Sequence, residues 1–213
     1  MLRTVKDMNF QSIGWRVCFV GCALFVMAGG PRHPGGTMAE MLADPEWVPS
    51  HTLQLAGFVL LPIGLLLYQR AAPRPARTRQ WTRLAAIGAL LQAVEMAFHL
   101  AAYVDHANLM AGHATPVLTT HLGLAVVCYP IFAVTIVGWI VAGMRDKVLG
   151  SPLIAWIGIL GVVAHGAAAP LVVGLGIIGA RVLFPAVTLL ALWLILAAVW
   201  PGLRTDVREP RPA

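Results

Sequence analysis

Charge is scarce in this sequence. Of 213 residues only 11% are Asp, Glu, Lys or Arg, against roughly 25% in an ordinary soluble protein, which excludes a conventional soluble fold. Cysteine is almost as rare: Cys18, Cys22 and Cys128 make neither a disulfide framework nor a CxxC pair. Cys18 and Cys22 share a helical face, where a metal or redox role competes with simple packing, and packing is the better reading for free cysteine. No Walker loop, Rossmann glycine pattern, HExxH, nucleophile elbow or kinase motif occurs, which removes ATPase, dinucleotide and zinc-protease readings. The net charge of +6 would suggest nucleic acid in a soluble domain, but 59% hydrophobic residues leave no surface for that partner. The solvent implied is lipid.

Six apolar runs are long enough to cross a bilayer core of roughly 30 Å as helices. They cover residues 12–29, 51–68, 83–103, 118–144, 152–178 and 182–200. The first follows Arg3 and Lys6 like a signal sequence, yet nothing around Ala28, Gly29 and Gly30 makes a small-x-small cleavage site, so it reads as a span. The expected fold is an all-α, polytopic membrane bundle forming a single domain over 1–213.

Basic residues set the orientation, because Lys and Arg near span ends are retained in the cytoplasm. Arg70, Arg74, Arg77, Arg79 and Arg83 link spans two and three, and Arg145 and Lys147 link spans four and five. Arg204, Arg208 and Arg211 follow span six, and Arg3, Lys6 and Arg16 lie at the amino end. Both termini are therefore expected in the cytoplasm. The opposite loops hold only Arg32 and Arg181 as basic residues, alongside Glu40, Asp44, Glu46 and Asp105. Trp47, Trp81 and Trp200 fall where aromatic belts form, and Arg16 can snorkel to the near headgroups. The Ala, Gly, Val and Arg bias and the Trp47-Val48-Pro49-Ser50-His51 segment resemble multi-pass proteins of the bacterial cytoplasmic membrane.

In the first outer loop Thr37 and Glu40 have the spacing of a capping box, predicting a short interfacial helix that ends before Pro45 and serves as connector or lid. In the second, Asp105, His106 and His113 form a set that could hold a metal loosely. These histidines and His33 read more simply as solvated polar residues.

Ionisable groups inside the hydrocarbon cost several kcal/mol and normally face a bundle interior or a cavity. Gln92, Glu95, His99 and Tyr103 follow at steps of three, four and four and so share one helical stripe. Glu95 and His99, four apart, can bind one metal ion, share a proton, or fix a histidine tautomer. A satisfied structural pair is the equal alternative. His51 opens span two behind Ser50, a candidate cap, with Gln54 one turn on, and a helix amino end would keep it neutral. His121 occupies a similar place in span four after Thr119 and Thr120, and His165 lies near the middle of span five.

Spans two and four run inward while three and five run outward, so these histidines can meet. His99 lies roughly 6 Å below the outer end of its helix at about 1.5 Å per residue. A tandem hairpin repeat would relate His51 to His121 and His99 to His165, although alanine-rich and leucine-rich helices produce such matches by chance. Four helical histidines in six spans resemble, in architecture, six-span b-type cytochromes that hold two haems. The resemblance implies haem ligation by pairs drawn from His51, His99, His121 and His165. However, His51, His99 and His121 lie towards one face, which favours one haem over a two-haem path. The other metal reading is a zinc, iron or copper site on Glu95, His99, His121 and His51, for redox or hydrolytic chemistry with Glu95 and His99 as its reactive centre.

Two further classes stand beside the cofactor reading. In a proton-coupled carrier Glu95 and His99 change protonation, and Pro62, Pro130 and Pro170 break helices. In an assembly or accessory protein the cluster only pins helices, small residues such as Gly57, Gly123, Gly138, Gly158 and Gly161 serve packing, and the partner is a second copy or another membrane protein.

Overall fold

A computed structural model describes residues 5–149 and 151–199, which form helices and turns with no strand. Arg3, Trp200, Arg204, Arg208 and Arg211 lie outside the described residues. The membrane-crossing elements are α1 (Val5–Gly29), α3 (Trp47–Ala71), α4 (Ala76–Ala101), α6 (Pro116–Arg145), α7 (Pro152–Ala169) and α8 (Val187–Val199). Two short helices, α2 (Met38–Ala43) and α5 (His106–Met110), lie in the connections. Each span packs on its neighbours in the chain, and α8 closes the ring against α1. The chain is a six-span helical membrane bundle. One end carries the arginine-rich connections and the other the histidines, and these are called the basic end and the histidine end below.

Lipid offers no hydrophobic drive for one helix to join another, so the ring depends on close packing. Aromatic side chains fill its interior towards the basic end. Phe58 meets Phe132 edge-on at 5.8 Å, Phe19 meets Trp139 at 5.7 Å, and Trp139 meets Trp193 at 5.3 Å. Gly57 and Gly64 let α1 lie against α3 so closely that an added Cβ would stand 2.9 Å from the Cys22 carbonyl or from the Cys18 Cβ. Both cysteines are buried there as packing residues. Outward-facing Val17, Ile87, Val134, Leu160 and similar side chains are exposed, as lipid requires.

Several local expectations change. Helix α3 begins at Trp47, four residues before His51, so Ser50 lies inside the helix and caps nothing. Pro62 and Pro130 sit within continuous helices, and only Pro170 interrupts one, opening a π turn over Pro170–Gly174 that ends span five early. A 3-10 stretch, Ile178–Ala186, then delays the α-helical part of span six to Val187.

The capping box forms as the sequence implies. The Thr37 amide donates to Glu40 Oε2 at 2.7 Å and the Glu40 amide to Thr37 Oγ1 at 3.3 Å; the Thr37 amide and the Thr37 hydroxyl, which donates to Glu40 Oε2 at 2.8 Å, hold the Glu40 carboxyl below its usual pKa. Leu42 on α2 packs with Trp47, Ala102 and Leu118, so the helix closes over the histidine end. A Thr37→Ala change should loosen this cover by about 1 kcal/mol. Hydrogen exchange over 38–43 would then accelerate several-fold while the spans keep their protection, and unchanged exchange there would contradict the capping role.

Candidate metal centre

Three spans bring the expected residues together at the histidine end. Helix α4 supplies Gln92, Glu95 and His99 on one face, α3 supplies His51 and α6 supplies His121. Gln92, Glu95 and His51 are fully buried and His121 is 5% exposed. The ring of His99 stacks on that of His121 at 4.0 Å between centroids and lies 4.3 Å from that of His51. Tyr103, the last residue of the predicted stripe, is exposed, because the helix tightens into a 3-10 turn over Ala102–Asp105 and carries it off that face.

The carboxylate is held from two sides. Gln92 Nε2 donates to Glu95 Oε2 at 2.8 Å, while Glu95 Oε1 stands 2.7 Å from His121 Nδ1. The second pair lies at ion-pair distance without N–H···O alignment, so neither atom has a hydrogen bond. His51 Nδ1 donates to the Trp47 carbonyl at 2.6 Å, which leaves Nε2 as a bare acceptor, buried and without a partner. His99 Nδ1 is likewise buried and unpartnered. Orphaned polar atoms in a low-dielectric interior are costly, roughly 1–3 kcal/mol each, and His51 Nε2 and His99 Nδ1 together with the Glu95–His121 ion pair form a concentrated set of donor atoms.

Sequence reasoning missed His33. It follows the 3-10 turn Gly30–Arg32, and its ring lies 4.8 Å from that of His51 and 5.9 Å from those of His99 and Trp47. The residue as a whole is exposed, but its ring faces the cluster. This desolvation holds its pKa below the ordinary imidazole value, even though Nδ1 donates to the Pro34 carbonyl at 2.8 Å and so opposes the shift. Two loop contacts keep it there: Arg32 grips Glu46 through two bonds of 2.7 and 3.2 Å, and Arg181 reaches the Gly36 carbonyl. The signal that could have found it is proximity to the end of span one, where a short turn must double back over the helix mouths.

Trp47 is also not the interfacial belt residue expected. It is 1% exposed, its indole N–H donates to the Leu100 carbonyl at 3.1 Å, and its ring lies 4.1 Å from that of His51. It roofs the cluster. Asp105 accepts the Leu118 amide at 2.8 Å and so serves the start of α6; among the described residues neither it nor His106 nor His113 belongs to a metal-competent group. His165 stands apart, its ring tilted against that of Tyr129 at 4.7 Å and its Nδ1 donating to the Phe184 carbonyl at 3.1 Å. Approximate twofold symmetry among four histidines therefore does not extend to the site.

Two overlapping groups have donor atoms within 4.8 Å of one another and could hold a metal ion: Glu95, His99 and His121, and His33, His51 and His99. Donors on one tetrahedral ion stand roughly 3.3 Å apart, so modest side-chain rotations would close either group. Fold and site together define a multi-pass helical membrane protein with a buried histidine and carboxylate cluster whose geometry could hold a metal ion. The chain matches no family model, no curated protein and no solved structure.

Proposed function

We propose that this protein holds one transition-metal ion inside the bilayer on Glu95, His99 and His121, with His51 beside them, and uses it for redox or hydrolytic chemistry. The observation that carries this reading is the group of Glu95, His99 and His121, whose donor atoms lie within 4.8 Å of one another, with Glu95 Oε1 already 2.7 Å from His121 Nδ1 and with His99 Nδ1 buried and unpartnered. The Gln92 bond to Glu95 Oε2 is the outer-shell support that orients a carboxylate ligand, and the Trp47 carbonyl does the same for His51. Imidazole and carboxylate ligands suit zinc, iron and copper alike. When bound, the ion would supply Lewis-acid or redox chemistry. The chain's own residues position it, cover it with Trp47 and α2, and compensate part of its charge through Glu95.

Charge favours a single ion, because Glu95 is the only carboxylate in either group and a second divalent cation would stand uncompensated in low dielectric. The ring geometry disfavours haem. Axial imidazoles must point end-on at iron from opposite sides of a porphyrin, whereas His99 and His121 lie face to face with no slot for the macrocycle between them. A carrier needs an exit at the other end. Phe58 lies roughly 10 Å deeper along α3 than His51, Phe132 roughly 16 Å deeper along α6 than His121, and these rings and Trp139 close the axis there. The basic end is the cytoplasmic one on the distribution of arginines, which opens the histidine end to the outside of a bacterial cytoplasmic membrane.

The test is elemental analysis with an absorption spectrum of detergent-purified protein. About one transition ion per chain and no Soret band is the expected result. A Soret band would replace the ion by haem, and substoichiometric metal after loading would refute the reading.

A further inference from the structure

The two candidate groups share His99 but differ in charge and depth. His33, His51 and His99 are three imidazoles with no carboxylate, and His33 is the only exposed member of either group. Glu95, His99 and His121 contain the only acid of the two groups, with Glu95 and His121 buried and His99 partly buried. The donor atoms within each group stand within 4.8 Å of one another, and the side chain of His99 belongs to both groups.

We propose that His33, His51 and His99 form an entry station, where a divalent ion is captured from the histidine end before it passes to Glu95, His99 and His121. The inference rests on the metal-centre reading and adds the direction of loading and a role for a loop residue. Three features support it. His33 and His51 each donate Nδ1–H to a backbone carbonyl, Pro34 at 2.8 Å and Trp47 at 2.6 Å, so each presents Nε2 as a lone pair. Fixing the second nitrogen in this way is the usual arrangement of a ligating histidine. Second, a neutral triad near water binds a dication less tightly than a triad containing a carboxylate in a buried site, because nothing offsets the ion's charge. Capture is then reversible and the inner group is the sink. Third, His33 lies on a loop pinned by a surface ion pair, Arg32 to Glu46, at 49% and 46% side-chain exposure. Exposed ion pairs of this kind are weak in water, and the other loop contact, Arg181 to the Gly36 carbonyl, is a single long bond of 3.4 Å, so the loop can swing while the spans stay packed.

Loading by Co²⁺, followed by its ligand-field absorption in stopped flow on the full-length protein in detergent, separates the outcomes. For His33→Ala the loading rate should fall at least about tenfold, as loss of one ligand from the intermediate implies, while the final stoichiometry and spectrum match the unaltered protein. His113→Ala removes another exposed histidine at the same end and should load at the unaltered rate. An unchanged rate in His33→Ala would overturn the entry station, and so would a changed final spectrum or stoichiometry, which would make His33 a resident ligand. If the unaltered protein binds no Co²⁺, the metal-centre reading itself fails, a result distinct from either of these.

Discussion

His99→Ala should abolish stoichiometric metal binding, the largest effect expected of any single change in the cluster. His99 is the one side chain common to both metal-competent groups, and its ring lies between those of His51 and His121, 4.3 and 4.0 Å away. Its removal leaves two donors in each group and a gap where the rings now stack. Loss of even a supporting group around a metal typically costs 10–100-fold in affinity, so deletion of a shared ligand should weaken binding by more than about 100-fold. Glu95→Gln tests the charge term separately. The amide keeps the shape and can still meet Gln92, but it removes the only negative charge facing the ion, and affinity should fall by about 10–100-fold. Equilibrium dialysis with elemental analysis measures both. Wild-type affinity in His99→Ala would exclude the site, whereas equal affinity in Glu95→Gln would confine the ion to the imidazoles.

Gly161→Leu should be the most damaging change to the bundle itself. A Cβ at Gly161 would stand 2.6 Å from the Leu190 amide nitrogen and 2.9 Å from the Ala186 carbonyl oxygen. These are backbone atoms of the adjoining segment and cannot rotate aside, so α8 must move away from α7. Overpacking of this kind costs about 1–3 kcal/mol or more, and because α8 also closes the ring against α1 the disturbance reaches two interfaces. A clear fall in the thermal unfolding midpoint in detergent is expected. Gly123→Ala is the counterpart, since nothing lies within 4 Å of its added Cβ. There the better helix propensity of alanine should leave the midpoint equal or slightly raised. Equal midpoints for Gly161→Leu and the unaltered protein would show that this close approach is not required.

Much of the architecture was legible beforehand because lipid imposes a length and a composition on every crossing segment, and no other solvent tolerates these runs. Six spans, the capping box at Thr37 and Glu40, and the convergence of Glu95, His99, His121 and His51 all follow from periodicity and alternating span direction. Span five ends early because a proline's effect depends on its neighbours: Pro62 and Pro130 are absorbed into continuous helices, whereas Pro170 opens a π turn. His165 shows the limit of pattern matching. Its surroundings in sequence look like those of His99, yet its ring packs on Tyr129 and its Nδ1 bonds to Phe184, away from the other histidines.

The sequence by itself determined the solvent, the number of spans, which end carries the arginines and which polar groups must face inward, since each of these follows from local composition or a helical repeat. Only the tertiary structure decided that His33 belongs to the cluster, that Trp47 roofs it and that Asp105 is engaged at the start of α6. Those placements depend on a loop folding back across helix mouths under contacts such as Arg32 with Glu46, fourteen residues apart, and Arg181 with Gly36. Contacts between distant segments leave no periodic trace in the chain, so the histidine of the cluster nearest to water was the one that the sequence concealed.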